Sequence, residues 1–80
     1  MYYSVKDVIA NDDFSLTLTF EDGQRKIFDM KPYLDRGIFL ELRDIDLFKT
    51  ARVCFTSVAW DNDADFDPEA LYDLGLPLAD

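Results

Sequence analysis

Phe14-Ser15-Leu16-Thr17-Leu18-Thr19-Phe20 decides how this chain of 80 residues is read. Apolar side chains at 14, 16, 18 and 20 alternate with hydroxyl residues at 15, 17 and 19, the period of two that marks an extended strand with one buried face. Asp22-Gly23 follows, and an Asp-Gly pair between two apolar runs predicts a type I′ hairpin turn into a strand from Arg25 to Asp29. A two-residue turn pairs Leu18 with Ile27 but sets Phe28 and Met30 on the face of Thr17 and Thr19. Either that face is also covered, or a bulge shifts the register.

Working outward, Tyr3, Val5 and Ile9 supply a first strand ahead of this hairpin. Behind it, Asp29 and Pro32 open a short helix through Leu34 that Gly37 ends, and Phe39 and Leu42 begin another apolar turn reaching Leu47 and Phe48. Ala51, Val53 and Phe55 alternate with Arg52, Cys54 and Thr56 in a further strand, which Val58 to Trp60 extends or folds back upon. A strongly acidic loop, Asp61 to Asp67, then runs into the best helix start in the chain. Asp67 caps the first free amides, Pro68 already has the φ of a first helical turn, and Glu69 sits at the positive end of the helix dipole. Leu71, Tyr72 and Leu74 form the buried side of that helix, and Gly75 stops it in a left-handed cap. The expected architecture is a single α+β domain over residues 1–80, a small antiparallel sheet of four or five strands with two or three short helices. Leu16, Leu18, Phe20, Val53, Phe55, Trp60 and Leu71 are expected to share its core.

Composition agrees with one small globular domain: 49% hydrophobic and 15% aromatic residues, with three glycines and three prolines. The apolar runs are too short to cross a bilayer, and the first residues lack the basic and apolar regions of a signal peptide, so a cytoplasmic location is expected, with no membrane partner. The single cysteine, Cys54, forms no internal disulfide and reads as a packing residue of its strand.

The net charge of −9 is unevenly spread: residues 1–60 carry ten acids against eight bases, and residues 61–80 carry seven acids and no base. Phosphate neutralisation needs clustered Lys and Arg, which the scattered bases from Lys6 to Arg52 do not provide, so direct nucleic-acid binding is not expected. Without histidine, serine and cysteine nucleophiles lack their usual base. Gly23, Gly37 and Gly75 are isolated and form no phosphate-cradling loop. Asp61-x-Asp63-x-Asp65 copies the first three ligand positions of a calcium loop, but Phe66 stands where that loop needs glycine and Tyr72 where it needs a bidentate glutamate. Neither a metal nor a cofactor is expected.

Trp60, Asn62, Ala64, Asp65, Pro68, Glu69, Leu71 and Tyr72 together form W-x-N-x-A-D-x-x-P-E-x-L-Y. With Phe20 to Gly23, Asp29, Pro32-Tyr33-Leu34, Gly37-Ile38-Phe39, Leu42 and Phe48, this pattern resembles the bacterial domain of unknown function family 2442 over nearly the whole chain. The family often has glycine where Asp63 stands, so here an aspartate makes the expected tight turn. The resemblance implies a compact α+β domain in bacteria, often encoded beside another small protein in the manner of a toxin–antitoxin pair. It implies no reaction.

Two functions follow as expectations. The first is a non-catalytic protein-interaction module, antitoxin-like or adaptor-like, presenting its acidic C-terminal surface to a basic protein partner through Trp60, Asp61, Asp63, Asp65, Glu69 and Tyr72. The alternative is a small enzyme or divalent-cation-binding domain using the carboxylates from Asp61 to Glu69. Homo-oligomerisation is open. Structurally, Trp60 and Tyr72 also read as core packing, and Asp65 or Asp67 as a turn or cap residue.

Overall fold

A computed structural model describes residues 4–78. The first-strand assignment of Tyr3 lies outside them. Among the described residues seven short strands form two antiparallel sheets. The larger contains β1 (Val5–Ala10), β2 (Ser15–Phe20), β3 (Arg25–Asp29) and β7 (Leu76–Pro77), in the order β1-β2-β3-β7. The smaller contains β4 (Arg52–Cys54), β5 (Ser57–Ala59) and β6 (Asp65–Phe66), in that order. Two 3₁₀ turns, Lys31–Tyr33 and Gly37–Arg43, and α1 (Ile45–Phe48) connect the sheets. Helix α2 (Pro68–Leu74) carries the chain back to β7. The fold is α+β, with the antiparallel strands divided between two sheets rather than gathered in one. None of the described helices is long and apolar enough to cross a membrane.

The hairpin settles its register by a three-residue loop. Thr19 pairs with Arg25, Leu18 with Lys26, Thr17 with Ile27 and Leu16 with Phe28. The amide of Phe20 donates to the carbonyl of Gln24 at 2.9 Å, and that of Gly23 to the carbonyl of Phe20 at 2.9 Å. Gly23 takes the left-handed conformation (φ 88°). The connection is therefore Glu21-Asp22-Gly23, not the two-residue Asp22-Gly23 turn, and the one-residue shift moves Phe28 onto the face of Leu16, Leu18 and Phe20. All four are buried. Lys26 comes onto that face as well and is only 8% exposed.

Phe14 stands before the strand. Its φ is 64°, and the turn from Asn11 is held by the Phe14 amide donating to the Asn11 carbonyl (3.1 Å) and the Asn11 amide donating to the Ser15 carbonyl (2.9 Å). Its ring reaches Phe48, with centroids 5.2 Å apart. Gly37 opens the second 3₁₀ turn with φ 49° rather than ending a helix through Leu34. The chain from Arg52 to Ala59 folds back as a tight hairpin in which Cys54 pairs with Ser57. Phe55 is consequently at its tip, 97% exposed and not in the core, while Val53 packs partly buried against it.

One core lies between the sheets and helices. Leu16, Leu18 and Phe20 meet Met30, Leu42, Phe48, Val58, Trp60 and Leu71 there, each with essentially no exposed surface. Phe28, Tyr33, Phe39 and Phe66 add an aromatic layer with ring centroids 5.2 to 5.5 Å apart, a spacing that favours tilted and edge-on contacts.

Helix α2 starts as its sequence dictates: Asp67 is extended, Pro68 is the first helical residue, and the Asp67 carboxylate accepts the amide of Glu69 at 3.0 Å. Leu71 alone supplies a fully buried side chain, since Tyr72 is half-buried and Leu74 is 58% exposed. Gly75 is extended (φ −68°, ψ 146°), so it is no left-handed cap. Its need for glycine is one of space: a Cβ there would lie 2.7 Å from the Leu71 carbonyl oxygen and 3.1 Å from the Cβ of Lys26.

Candidate functional site

The acidic loop is built over Trp60. The Trp60 amide donates to the Ala64 carbonyl (2.9 Å) and the Asp63 amide to the Trp60 carbonyl (3.1 Å), closing a tight turn that returns β5 to β6. Asp63 takes φ 69° in that turn, a left-handed conformation that glycine adopts more readily than aspartate. Asn62 accepts the Ala64 amide at 3.1 Å and donates to the Glu41 carboxylate at 3.0 Å, tying the loop to the second 3₁₀ turn. Trp60 itself is 0% exposed, and its indole N–H donates to the Phe48 carbonyl at 2.9 Å. It is a core residue that supports the loop, and it offers no surface to a partner. The packing reading is the one this structure supports.

Above Trp60, the side chains of Asp61, Asp63, Asp65 and Glu69 are exposed. Asp61 pairs with Arg52 at 2.8 Å, and its amide donates to the Thr50 hydroxyl oxygen at 3.1 Å. Among the described residues Asp63, Asp65 and Glu69 form no ion pair. Exposed carboxylates of this kind contribute little to stability and are left as a field in front of the surface. Among the described residues no three His, Cys, Asp or Glu side chains are placed to hold a metal ion together.

Tyr72 belongs to a different neighbourhood. Its hydroxyl donates to the Asp22 carboxylate at 2.6 Å and accepts from the Gln24 amide group at 2.8 Å. The ammonium of Lys26 donates to the Tyr72 carbonyl and sits 3.8 Å from the ring centroid. The ring meets Phe20 edge-on at 4.9 Å. The Tyr72 hydroxyl, and after it the Gln24 amide, hold the Asp22 carboxyl below its usual value. These bonds lock α2 to the hairpin loop, so Tyr72 acts as a structural clasp rather than as part of the acidic surface.

What the sequence pattern misses is the other wall of the surface. A groove of about 520 Å³ runs along the small sheet, and Cys54 and Phe55 line it together with Asp63, Asp65, Phe66 and Asp67. Cys54 is half-buried there. Phe55 escapes notice because Ala51-x-Val53-x-Phe55 has the same alternation as a core strand. Only the pairing of Cys54 with Ser57 reveals that the alternation breaks at the turn.

Residues 5–76 match the model of a family described as protein of unknown function (DUF2442). No curated protein matches the chain, and no solved structure does.

Proposed function

We propose a role for this chain, which belongs to the DUF2442 family of proteins of unknown function: it is a non-catalytic protein-interaction module that meets a basic protein partner with its acidic C-terminal surface. The observation that carries this reading is the row of exposed carboxylates at Asp61, Asp63, Asp65 and Glu69, of which only Asp61 is matched by a base among the described residues. A surface charged in this way draws a basic partner and repels other acidic molecules. The setting is the bacterial cytoplasm, and the role is that of the antitoxin-like or adaptor-like member of a two-gene pair. Support for a binding rather than a catalytic role comes from the chemistry of the surface: exposed carboxylates beside a half-buried thiol, in a sequence without histidine.

The test is affinity capture from the source cell with the parent and with a variant carrying Asp61→Asn, Asp63→Asn and Glu69→Gln, at two salt concentrations. Charge steering over a Debye length of about 8 Å predicts slower capture by the variant and weaker capture by the parent at high salt. A basic protein held equally by both, at either salt, removes the acidic surface from the explanation. Reproducible turnover of a substrate by purified protein that Asp61→Asn abolishes replaces the reading with an enzyme.

A further inference from the structure

We infer that Phe55 is the anchor of that contact, and that its occupant is an amphipathic basic segment of a partner protein. Apolar side chains of the segment cover the Phe55 ring, and its Lys and Arg side chains reach the carboxylates on either side. The inference rests on the acidic-surface reading above and specifies the partner that surface takes.

Folding does not account for Phe55. The ring is 97% exposed, against 68% for Leu76 and 58% for Leu74, so it adds almost nothing to the core. Turn chemistry does not select it either. With Cys54 paired to Ser57, Phe55 and Thr56 form a two-residue loop, and Phe55 takes φ 57°, a conformation that such loops normally assign to Gly, Asn or Asp and that is unfavourable for a bulky side chain. A residue that satisfies neither the core nor the turn marks a position set by another demand.

The backbone that carries the ring is also held in place. The Val5 amide donates to the Thr56 carbonyl at 2.9 Å, and the Ser57 hydroxyl donates to the Phe66 carbonyl, so the tip is braced against both sheets. A ring carried on a braced turn leaves only its own side-chain rotations to be lost when it is covered.

Its surroundings select the partner. Phe55 and Thr56 form the ridge between two depressions of about 520 and 540 Å³; the first carries Asp63, Asp65 and Asp67, and the second carries Glu21. Arg52, at the edge of the first, is engaged with Asp61. An apolar centre with a charged rim is the arrangement in which a few aromatic anchors dominate binding. The rim here is negative and the whole chain carries −9, which opposes a second copy or an anionic membrane and favours Lys and Arg.

The test uses a short amphipathic peptide of leucine and arginine, titrated by fluorescence anisotropy and by amide NMR shifts. Controls replace its arginines with glutamate, or its leucines with serine. The expected result is binding of the parent peptide alone, with shifts centred on Cys54 to Ser57 and Asp63 to Asp67. Phe55→Ser should weaken that binding about tenfold or more while leaving the melting temperature unchanged or raised. If Phe55→Ser binds as the parent does while the carboxylate variant is weakened, the anchor is refuted and the acidic surface stands. If the leucine and arginine peptide does not bind at all, the basic-segment occupant is refuted, and the capture experiment above decides the surface separately. If sedimentation shows a dimer that Phe55→Ser dissociates, the occupant is a second copy and the inference is overturned.

Discussion

Trp60→Phe isolates what the buried indole contributes. The substitution keeps an aromatic ring at a 0% exposed position but removes the N–H that donates to the Phe48 carbonyl at 2.9 Å. That carbonyl also receives the Ala51 amide, at 3.3 Å, so it is weakened as an acceptor rather than orphaned, and the loss falls near about 1 kcal/mol. Besides the nitrogen, the smaller ring lacks two carbons, worth about 1.5 kcal/mol at roughly 0.8 kcal/mol per buried carbon. The sum, about 2.5 kcal/mol, stays below the roughly 3–5 kcal/mol of a Trp→Ala truncation. For a domain this small, with a stability of about 4–12 kcal/mol at roughly 0.05–0.15 kcal/mol per residue, that is a large share. The expected readout is a fall in Tm of about 10–20 °C, at about 4–8 °C per kcal/mol, followed by far-ultraviolet circular dichroism because the variant has no tryptophan to fluoresce. A Tm within about 3 °C of the parent would refute the burial and the hydrogen bond together.

Three further outcomes follow from the same geometry. Asp67→Ala should destabilise by about 1 kcal/mol through loss of the cap to Glu69, whereas Asp63→Gly, at φ 69°, should stabilise by up to about 1 kcal/mol; paired urea melts that rank them otherwise would discount both roles. Gly75→Ala places a Cβ 2.7 Å from the Leu71 carbonyl oxygen and should lower stability by about 1–3 kcal/mol, with equal melts showing that the α2–β7 junction gives way freely. Because the Asp22 carboxyl is held below its usual value chiefly by the Tyr72 hydroxyl, its contribution to stability is complete above its unfolded value and is lost as pH falls through the lower folded one. A carboxyl-carbon NMR titration should show the Asp22 midpoint rising in Tyr72→Phe, and an unchanged midpoint would sever that link.

Sequence patterns specify much of this fold where one local cause dominates. The alternation from Leu16 to Phe20 and the Asp67-Pro68-Glu69 start each determine an element by themselves, because period and capping act within a few residues. Elements decided by competition between local and distant causes are harder to read. Asp22-Gly23 is a strong two-residue turn signal, yet the burial of Phe28 and Met30 favours a longer loop, and tertiary packing outweighs turn preference. Gly75 carries the composition of a helix stop, but its requirement is one of space, set by the Leu71 carbonyl oxygen at 2.7 Å and, 49 residues away in sequence, the Cβ of Lys26 at 3.1 Å. Of the candidate surface, the four carboxylates are visible as a charge run. Trp60 and Tyr72 fall elsewhere because one aromatic ring can serve a core or a surface with the same residue type. Phe55 stays hidden because its strand pattern continues through a hairpin.

Lys26 sets a timetable for synthesis. The hairpin that contains it is complete by Asp29, but the acceptor of its buried ammonium is the carbonyl of Tyr72, 46 residues further on. β7, which covers the free side of β3, is later still. At about 5–20 residues per second, roughly 2–9 s pass between the two. During that interval β3 presents an open edge, and Arg25 and Asp29, the charged residues at its two ends, are what discourages a neighbouring strand from pairing with it. A nascent chain neutralised at both positions should therefore aggregate during translation even if the finished domain is as stable as the parent.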